Sequence, residues 1–332
     1  MTAVSTTTKD ALSAQYDLLR QASALFVLDQ ATLISVTGKN SIPFINGLVT
    51  NDLKSLQDGQ GTIGAFLNLQ AKVTAITRFY RIADGVLLQI DNKEAAAAVV
   101  KNLSKFVLAG EFFINELNYT VFSVQGPGSA EVLTSVFGGL EVGPDDYSFI
   151  KADSTYIARH DRTGSGGFDV YVSNDESELL ASRLKEAGAV AGDAEVLNVA
   201  RLEAGIPLEG VDVSEANILL EAGYEKAVSY TKGCYLGQEI IARIHWRGQP
   251  ARQLRGLLVD GSEVIDRGTE LWAADGKKVG EVTSSAFSLG LDRVLALGYV
   301  HRYYLTAGTQ FTLKKEEKEI GTATLTELPF IK

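Results

Sequence analysis

The sequence predicts an α+β protein of two or three domains that ends in a small β-barrel or sandwich. Helical and strand-like segments are mixed in the first 250 residues, without the strict alternation of a parallel α/β fold. Short strands separated by turn signals then follow one another from about residue 254 onward. The length of 332 residues agrees with this division, on a prior of roughly 150 residues per domain.

Hydrophobic periodicity and residues that start or stop helices predict the elements of the first part. A proline near the start of residues 128–137 favours a helix there, and Gly188 stops a helix before it. Asp84-Gly85 is typical of a hairpin turn between two strands. The predicted helices cover 10–25, 41–49, 93–107, 128–137 and 175–187. The predicted strands cover 26–28, 33–36, 65–67, 73–82, 86–90, 119–124 and 168–172.

The sequence pattern predicts a series of short strands in the C-terminal part. Gly248 and Pro250 interrupt the preceding pattern, so we expect an N-terminal region over 1–250 and a β-barrel domain over 251–332. Asp275-Gly276 is one of the turn signals between the strands. The predicted strands are 254–259, 270–274, 278–284, 294–300, 311–314 and 320–325.

Composition excludes several classes of protein. The hydrophobic share of 45% and charged share of 22% are those of a soluble globular chain, and no apolar run approaches the roughly 20 residues of a membrane span. The net charge of −10 disfavours stable nucleic-acid binding, which depends on clustered basic residues. A lone Cys234 excludes an intramolecular disulfide, and the N-terminal residues do not resemble a secretory or transit signal. We therefore expect a cytoplasmic protein that does not bind membranes.

One glycine-rich stretch matches a nucleotide-binding pattern in the wrong context. Residues 59–64 read GxGxxG, but strand-like residues follow them where a dinucleotide-binding motif opens a helix. The three histidines, His160, His245 and His301, are far apart and form no ligand spacing with Cys234. The sequence therefore predicts neither a dinucleotide site nor a metal site.

A carboxylate on the apolar face of a predicted helix is the first candidate site residue. Asp193 can cap a helix that Gly205 ends, and Val196, Val199 and Glu203 share one stripe of it. A buried carboxylate must find donors, because leaving it unpaired is costly. Glu203 therefore either pairs with a protein cation or awaits a ligand that offers two N–H groups.

The second candidate is the segment from Tyr230 to Glu239, which contains the single cysteine. Gly233 and Gly237 indicate a backbone that turns sharply or allows a close approach. Lys232 and Arg243 are cations that can favour the thiolate of Cys234. On chemistry alone, a reactive thiol and an inert buried cysteine remain equally good interpretations.

The segment Lys232-Gly-Cys-Tyr-Leu-Gly-Gln-Glu239 resembles the signature of the YgfZ-type folate-binding proteins, relatives of the glycine cleavage T protein. Further similarity lies in residues 44–52, in Arg162-Thr163-Gly164, in 201–207, in 210–212 and in 243–248, so the resemblance spans roughly residues 26–330. It implies an aminomethyltransferase-like fold, with two interleaved α+β subdomains and a C-terminal β-barrel in a ring around a tetrahydrofolate pocket.

The resemblance also assigns residues and partners. It implies that Glu203 accepts the paired N–H donors of the pterin, and that cofactor binding involves Glu203, Arg243, Asn51, Gln238 and Glu239. Cys234, tuned by Lys232, would be a redox group or a transient ligand for sulfur or iron. The implied partners are folate and iron–sulfur proteins or their assembly factors.

One departure separates the chain from aminomethyltransferases. Alignment of Leu67 to Ile76 with the T proteins puts Ile76 at the position of a catalytic aspartate, and Ala71 where they have glycine. Isoleucine cannot exchange a proton with an amine. We therefore expect a tetrahydrofolate-binding accessory factor for assembly or repair of iron–sulfur enzymes, including those that modify tRNA. The alternatives are a folate-dependent aminomethyl or one-carbon transferase or demethylase, and a folate-binding scaffold with an inert thiol.

Overall fold

The computed structural model describes residues 6–107, 112–139 and 141–331. They form two antiparallel-rich sheets with flanking helices and a closed β-barrel. The helices are α1 (Thr6–Gln21), α2 (Ser41–Asn46), α3 (Lys93–Ser104), α4 (Ser129–Phe137), α5 (Ser177–Glu186), α6 (Ala194–Glu203) and α7 (Gln238–Arg247).

The strands of the first part are β1 (Ala24–Val27), β2 (Thr32–Thr37), β3 (Gly61–Leu67), β4 (Val73–Ile82), β5 (Gly85–Ile90), β6 (Phe113–Glu116), β7 (Tyr119–Gln125), β8 (Phe149–Ala152), β9 (Thr155–Arg159), β10 (Gly167–Ser173) and β11 (Val190–Ala191). The strands of the barrel are β12 (Arg252–Val259), β13 (Glu270–Trp272), β14 (Lys278–Ser288), β15 (Arg293–His301), β16 (Gln310–Lys315) and β17 (Lys318–Thr326).

The first sheet has the strand order β3-β4-β5-β2-β6 and is covered on both faces. On one face, α2 and α3 pack with Ile34, Phe79 and Val99 in an apolar core. On the other face, Val73 and Ile76 contact the segment 213–241, including Tyr235. Because β4 is buried on both faces, a charged side chain in it such as Arg78 needs a buried partner.

The second sheet, of order β11-β1-β7-β10-β9-β8, packs against α4 and α5. A third apolar cluster joins the two sheets through residues that include Leu33, Tyr80 and Tyr171. The hydroxyl groups of Tyr80 and Tyr171 lie 2.9 Å apart in a hydrogen bond between β4 and β10. The charged residues described below lie in this joint between the sheets.

The barrel closes in the order β12-β15-β14-β13-β16-β17, with every neighbouring pair antiparallel. Its interior holds apolar side chains such as Leu257, Phe311 and Leu325. Its outer surface packs through Leu295 and Tyr299 against α1 and α6. The predicted α+β class and the C-terminal β-barrel are therefore confirmed.

Several predicted bounds differ from the structure. The helix expected over 10–25 ends at Gln21, because Ala24 and Leu25 pair with β7 as part of β1. Asp193 lies at the N-cap of α6 as predicted, but its carboxylate accepts from Gln15 Nε2 (2.9 Å) and makes no cap hydrogen bond. Among the described residues, no helix has the length and apolar content that crossing a bilayer requires.

Candidate functional site

A cavity of about 90 Å³, lined by charged and apolar side chains, lies where the two sheets meet the segment after α6. We call it the central cavity. Ile76 and Arg78 of β4 face it from the first sheet, and residues that follow β9 face it from the second. The complete lining is Ile76, Arg78, Asp91, His160, Arg162, Leu197, Arg201, Ile206, Pro207, Leu208, Glu209 and Tyr224.

Arg162 bridges two buried carboxylates that come from different sheets. Its Nη1 and Nη2 donate to Asp91 at 2.8 and 2.9 Å, and its Nε and Nη2 donate to Asp169 at 3.0 and 2.7 Å. Burial alone would raise the pKa of Asp91, but Arg162 and Arg78 outweigh it and hold that pKa well below its usual range. Both carboxylates are therefore ionised, and the guanidinium ties β10 to the end of β5.

His160 is held as a neutral imidazole in the same cluster. Its Nε2 accepts from Arg78 Nε (3.1 Å), so the ring proton is on Nδ1, which donates to Asp169 (2.8 Å). Burial, together with the positive charges of Arg78 and Arg162 and against the effect of Asp169, lowers the pKa of His160 to about 4. His160 therefore has a structural role, in which both ring nitrogens make hydrogen bonds.

Of the two carboxyl groups that line the cavity, Glu209 has fewer hydrogen bonds among the described residues. Its Oε1 accepts from the backbone N–H of Ile76 (2.8 Å), and within the described residues it makes no other hydrogen bond. Burial, opposed by the Ile76 N–H and Arg78 and assisted by Asp91, raises the pKa of Glu209 to about 8. This side chain is therefore mainly a neutral acid at pH 7.

Ile76 reaches the cavity through the hairpin of β3 and β4, in which it pairs with Ala65. The turn between these strands contains Ala71 at φ 56°, the left-handed region that favours glycine. Gly237 approaches this turn so closely that a Cβ atom on it would lie 3.0 Å from Ala71 Cα. The conformation at Ala71 supports the alignment that puts Ile76 at the aspartate position.

Arg201 connects the cavity to the barrel. It donates to Asp212 (2.6 Å) and to Asn198 (2.7 and 2.9 Å). The other oxygen of Asp212 accepts from Thr283 and Ser284 in the barrel, the latter at 2.7 Å. The cavity wall and β14 therefore share one buried carboxylate.

Glu203 does not line the central cavity, because it lies on the opposite side of α6 from Arg201. Its Oε2 accepts from Tyr16 (2.7 Å) and from Arg20, and its Oε1 accepts from Ser288 (2.5 Å) and the Gly290 N–H (3.2 Å). Of the two interpretations, the structure contains the ion pair with a protein cation. A ligand could reach this carboxylate only by displacing one of these donors.

Lys232 and Asn51 lie close together, and their side chains donate hydrogen bonds mainly to backbone carbonyls. The Lys232 ammonium donates to the carbonyls of Asn46 (2.6 Å), Val49 (2.7 Å) and Asn51 (2.7 Å). The Asn51 amide donates to Thr62 Oγ1 and to the carbonyls of Ile63 and Lys226 at 2.8–3.0 Å. We call this arrangement the lysine clamp. Burial lowers the pKa of Lys232 to about 8, whereas three carbonyl acceptors favour the ammonium.

Cys234 is exposed, on the loop that follows the lysine clamp. Gln238 and Glu239 begin α7, and Arg243 lies one turn further on and is exposed. None of the predicted residues from 234 to 243 lines the central cavity.

An apolar groove lies beside this loop. Leu236 lines it together with the β3–β4 turn and α3, with a volume of about 680 Å³. Leu69 at the turn is 80% exposed and Phe106 is 52% exposed. Large apolar side chains are therefore exposed to solvent beside the loop that contains Cys234, the single cysteine of the sequence.

Sequence comparison with protein families gives two adjoining matches. Residues 4–232 match the GCVT N-terminal domain, and residues 252–332 match the glycine cleavage T-protein C-terminal barrel domain. The chain belongs to the glycine cleavage T-protein family. Members of this family bind tetrahydrofolate.

Curated relatives and a solved structure agree with this assignment. An aminomethyltransferase from Caldanaerobacter subterraneus is 28% identical, over 91% of this chain and 83% of the relative. A mitochondrial aminomethyltransferase from Mesembryanthemum crystallinum is 27% identical, over 94% and 80%. The crystal structure of aminomethyltransferase T from Bartonella henselae has the same fold, with a TM-score of 0.88 and 24% identity over 96% of this chain and 89% of that one.

The lining of the central cavity fits the polar chemistry of a tetrahydrofolate ring, but its volume does not fit the whole molecule. Glu209 retains hydrogen-bonding capacity, and the Tyr224 hydroxyl makes one long contact of 3.5 Å to Pro207 O. Ligand pockets usually measure about 300–1,000 Å³, so residues around this T-protein cavity must move to admit a folate.

Sequence reasoning missed Arg78, Asp91, Asp169 and Glu209. A signal was available for one of them, since Asp169 interrupts the otherwise apolar run from Phe168 to Val172 in β10. Buried charge in such a strand demands a partner. Across the described residues, no group of three or more His, Cys, Asp or Glu side chains has the geometry to hold a metal ion.

Proposed function

We propose that this chain is a tetrahydrofolate-binding accessory protein, cytoplasmic, that supports the assembly or repair of iron–sulfur enzymes, including enzymes that modify tRNA. The observation that carries the proposal is the combination of an exposed Cys234 with an apolar Ile76 in the cavity. The folate site and the thiol are separate, because Cys234 is not part of the cavity lining.

The folate part of the proposal relies on the central cavity. Glu209 and Tyr224 can hydrogen-bond a heterocycle, while Arg78, Asp91, Arg162 and Asp169 already satisfy one another. A mutually satisfied charge cluster makes a rigid floor that needs no ligand to stay intact. Glu203 is proposed to be structural, with its predicted pterin contact taken over by groups that face the cavity.

The accessory role relies on the loop around Cys234. The lysine clamp fixes one side of this loop, and the start of α7 fixes the other against Ala71. An exposed thiol on a fixed loop can meet another protein, and the apolar groove with Leu236 offers that protein a surface beside it. Cys234 would then act as a redox group or as a transient ligand for sulfur or iron. Gln238, Glu239 and Arg243 lie on this side and would contact the partner or the exposed end of the folate.

A second candidate is a folate-dependent aminomethyl or one-carbon transferase or demethylase. The comparisons favour it, because relatives named aminomethyltransferase align over 91% and 94% of the chain. One structural observation also favours it, since Glu209 brings a carboxyl group to the backbone of Ile76. The proposed function and this candidate share the folate site and differ in whether the chain turns over a one-carbon donor.

Titration calorimetry with tetrahydrofolate, under anaerobic reducing conditions, tests the shared part. Leu197→Trp fills the cavity, and Leu69→Trp is its matched control on an exposed turn. We expect the wild type, Cys234→Ser and Leu69→Trp to bind, and Leu197→Trp to bind at least tenfold more weakly. Absence of wild-type binding would overturn the proposal.

Two further assays separate the candidates. In cells that lack the chain, wild type should restore the activity of iron–sulfur enzymes that modify tRNA, and Cys234→Ser should not. Full restoration by Cys234→Ser would eliminate the thiol role. In vitro, formation of methylenetetrahydrofolate from an aminomethyl or N-methyl donor, at catalytic protein concentration, would establish the transferase instead.

A further inference from the structure

We propose that Glu209 is the residue that contacts a ligand in the central cavity directly, donating its carboxyl proton in a hydrogen bond to a ring nitrogen. The inference rests on the proposed folate site and deepens it. It assigns an acid to the place where Ile76 supplies none, and it defines the ligand as a flat heterocycle with an unprotonated nitrogen at its edge.

Hydrogen-bonding capacity singles out Glu209 from the aspartates of the charged cluster at the cavity. Asp91 accepts from Arg78, Arg162 and Gln89, and Asp169 accepts from Arg162 and His160. By contrast, Glu209 accepts only from the Ile76 N–H in the part of the chain that is described. Its second oxygen is therefore available to a ligand.

The backbone around Glu209 is fixed before any ligand arrives. Leu208 N donates to Asp212 (2.9 Å), and Gly210 N donates to the Val213 carbonyl (2.7 Å). Gly210 has φ 83°, and a Cβ atom there would lie 2.6 Å from Asn92 Nδ2. Because Asp212 is itself bound to Arg201 and to the barrel, the carboxyl group is held against β4.

Charged and titratable groups face Glu209 from several elements. Arg78 reaches it from β4, Asp91 from the end of β5, His160 and Arg162 from the segment after β9, Arg201 from α6, and Tyr224 from the segment before α7. The arginines are each engaged by an aspartate, and His160 is neutral. No free cation remains among these groups to ionise Glu209, so burial dominates and the acid form persists at neutral pH.

This arrangement assigns the two oxygens different tasks. Oε1 accepts the Ile76 N–H, which leaves Oε2 to carry the proton of the acid form. A protonated carboxyl donates to an unprotonated ring nitrogen, whereas the ionised form can only accept. The affinity for such a ligand must therefore fall as Glu209 loses its proton.

Calorimetric titration with tetrahydrofolate from pH 7 to pH 9, anaerobically and in buffers of different ionisation enthalpy, tests the inference. For wild type we expect the affinity to fall about tenfold over this range, because Glu209 loses its proton near pH 8. Glu209→Gln should bind with a flat profile, because the amide still donates. Glu215→Gln, at an exposed position, should behave as wild type.

The outcomes distinguish this inference from the proposed function. Wild-type and Glu209→Gln profiles of the same slope, or an affinity that rises with pH, would overturn the role of Glu209 and leave the folate site intact. Absence of wild-type binding at every pH would overturn both. Infrared difference spectra between wild type and Glu209→Gln give a readout without ligand, since a protonated carboxyl band at pH 7 must be present in the wild type only.

Discussion

The ammonium group of Lys232 donates a hydrogen bond to the backbone carbonyl of Asn51, 2.7 Å away, and two more carbonyls complete its coordination. The lysine of the cysteine-containing motif is therefore a structural clamp that joins this motif to the segment between α2 and β3. Its contribution to the thiol is to hold the loop in place.

Replacement of Lys232 by methionine should destabilise the protein by about 2–3 kcal/mol, because three carbonyls lose a charged donor. The free energy of unfolding in urea measures this change. Lys226→Met is the matched control, since Lys226 is 89% exposed and only 3.7 Å from an exposed aspartate. Equal stability of the two variants would contradict the clamp.

Arg162→Lys should cost about 3–5 kcal/mol, because a single ammonium cannot bridge Asp91 and Asp169 in the way that the planar guanidinium does. Thermal unfolding followed by circular dichroism provides the measurement. Arg302→Lys on the barrel surface should leave the midpoint unchanged. A tolerated substitution at Arg162 would mean that the two sheets are joined mainly by their apolar contacts.

Acidification from pH 6.5 to pH 4 should destabilise the wild type through His160. Its folded-state pKa of about 4 lies below the unfolded value of 6.5, so the unfolded chain binds the proton first in this window. The loss attributable to this group reaches up to about 3 kcal/mol. His160→Gln, whose amide can replace both hydrogen bonds, should show a shallower decline in urea unfolding. Parallel curves would exclude His160 as the titrating group.

Glu209 should produce the opposite dependence at higher pH. Its folded-state pKa of about 8 lies above the unfolded value. The contribution of Glu209 to stability is therefore complete below about pH 4.5 and is lost as the pH rises to 8. Glu209→Gln should remove this decline, and it should therefore be more stable than wild type at pH 9. Unfolding curves at pH 5, 7 and 9 test the difference, with Glu215→Gln for comparison.

Periodicity predicted the regular elements well where an apolar stripe dominates. The bounds of β4 were predicted correctly as 73–82, and all six barrel strands were found within a few residues. The strand β6 was missed because its four residues are largely exposed and carry no alternation. The helix α7 was missed because its N-cap is Gly237 in the left-handed region (φ 83°), which makes no side-chain cap hydrogen bond and so gives no start signal in the sequence.

The candidate site was harder to predict, for a physical reason. Asp91, Arg162 and Glu209 meet only because two sheets and a connecting segment pack together, and no local pattern records that meeting. Helical spacing correctly put Glu203 on the apolar face of α6, but spacing cannot say which donors face it. Here the donors are Tyr16 and Arg20 of α1, together with Ser288 and Gly290 of the barrel.

Glu203 also accepts hydrogen bonds through its backbone carbonyl, from the N–H groups of Phe330 (2.9 Å) and Ile331 (3.2 Å). Helix α1, the barrel and the segment after β17 thus converge on one residue of α6. Their stabilities are consequently coupled. If any one of them unfolds, the buried carboxylate or the buried carbonyl of Glu203 loses hydrogen-bond donors. The three parts should lose structure as a single cooperative unit, and the barrel should not persist as an independently folded remnant.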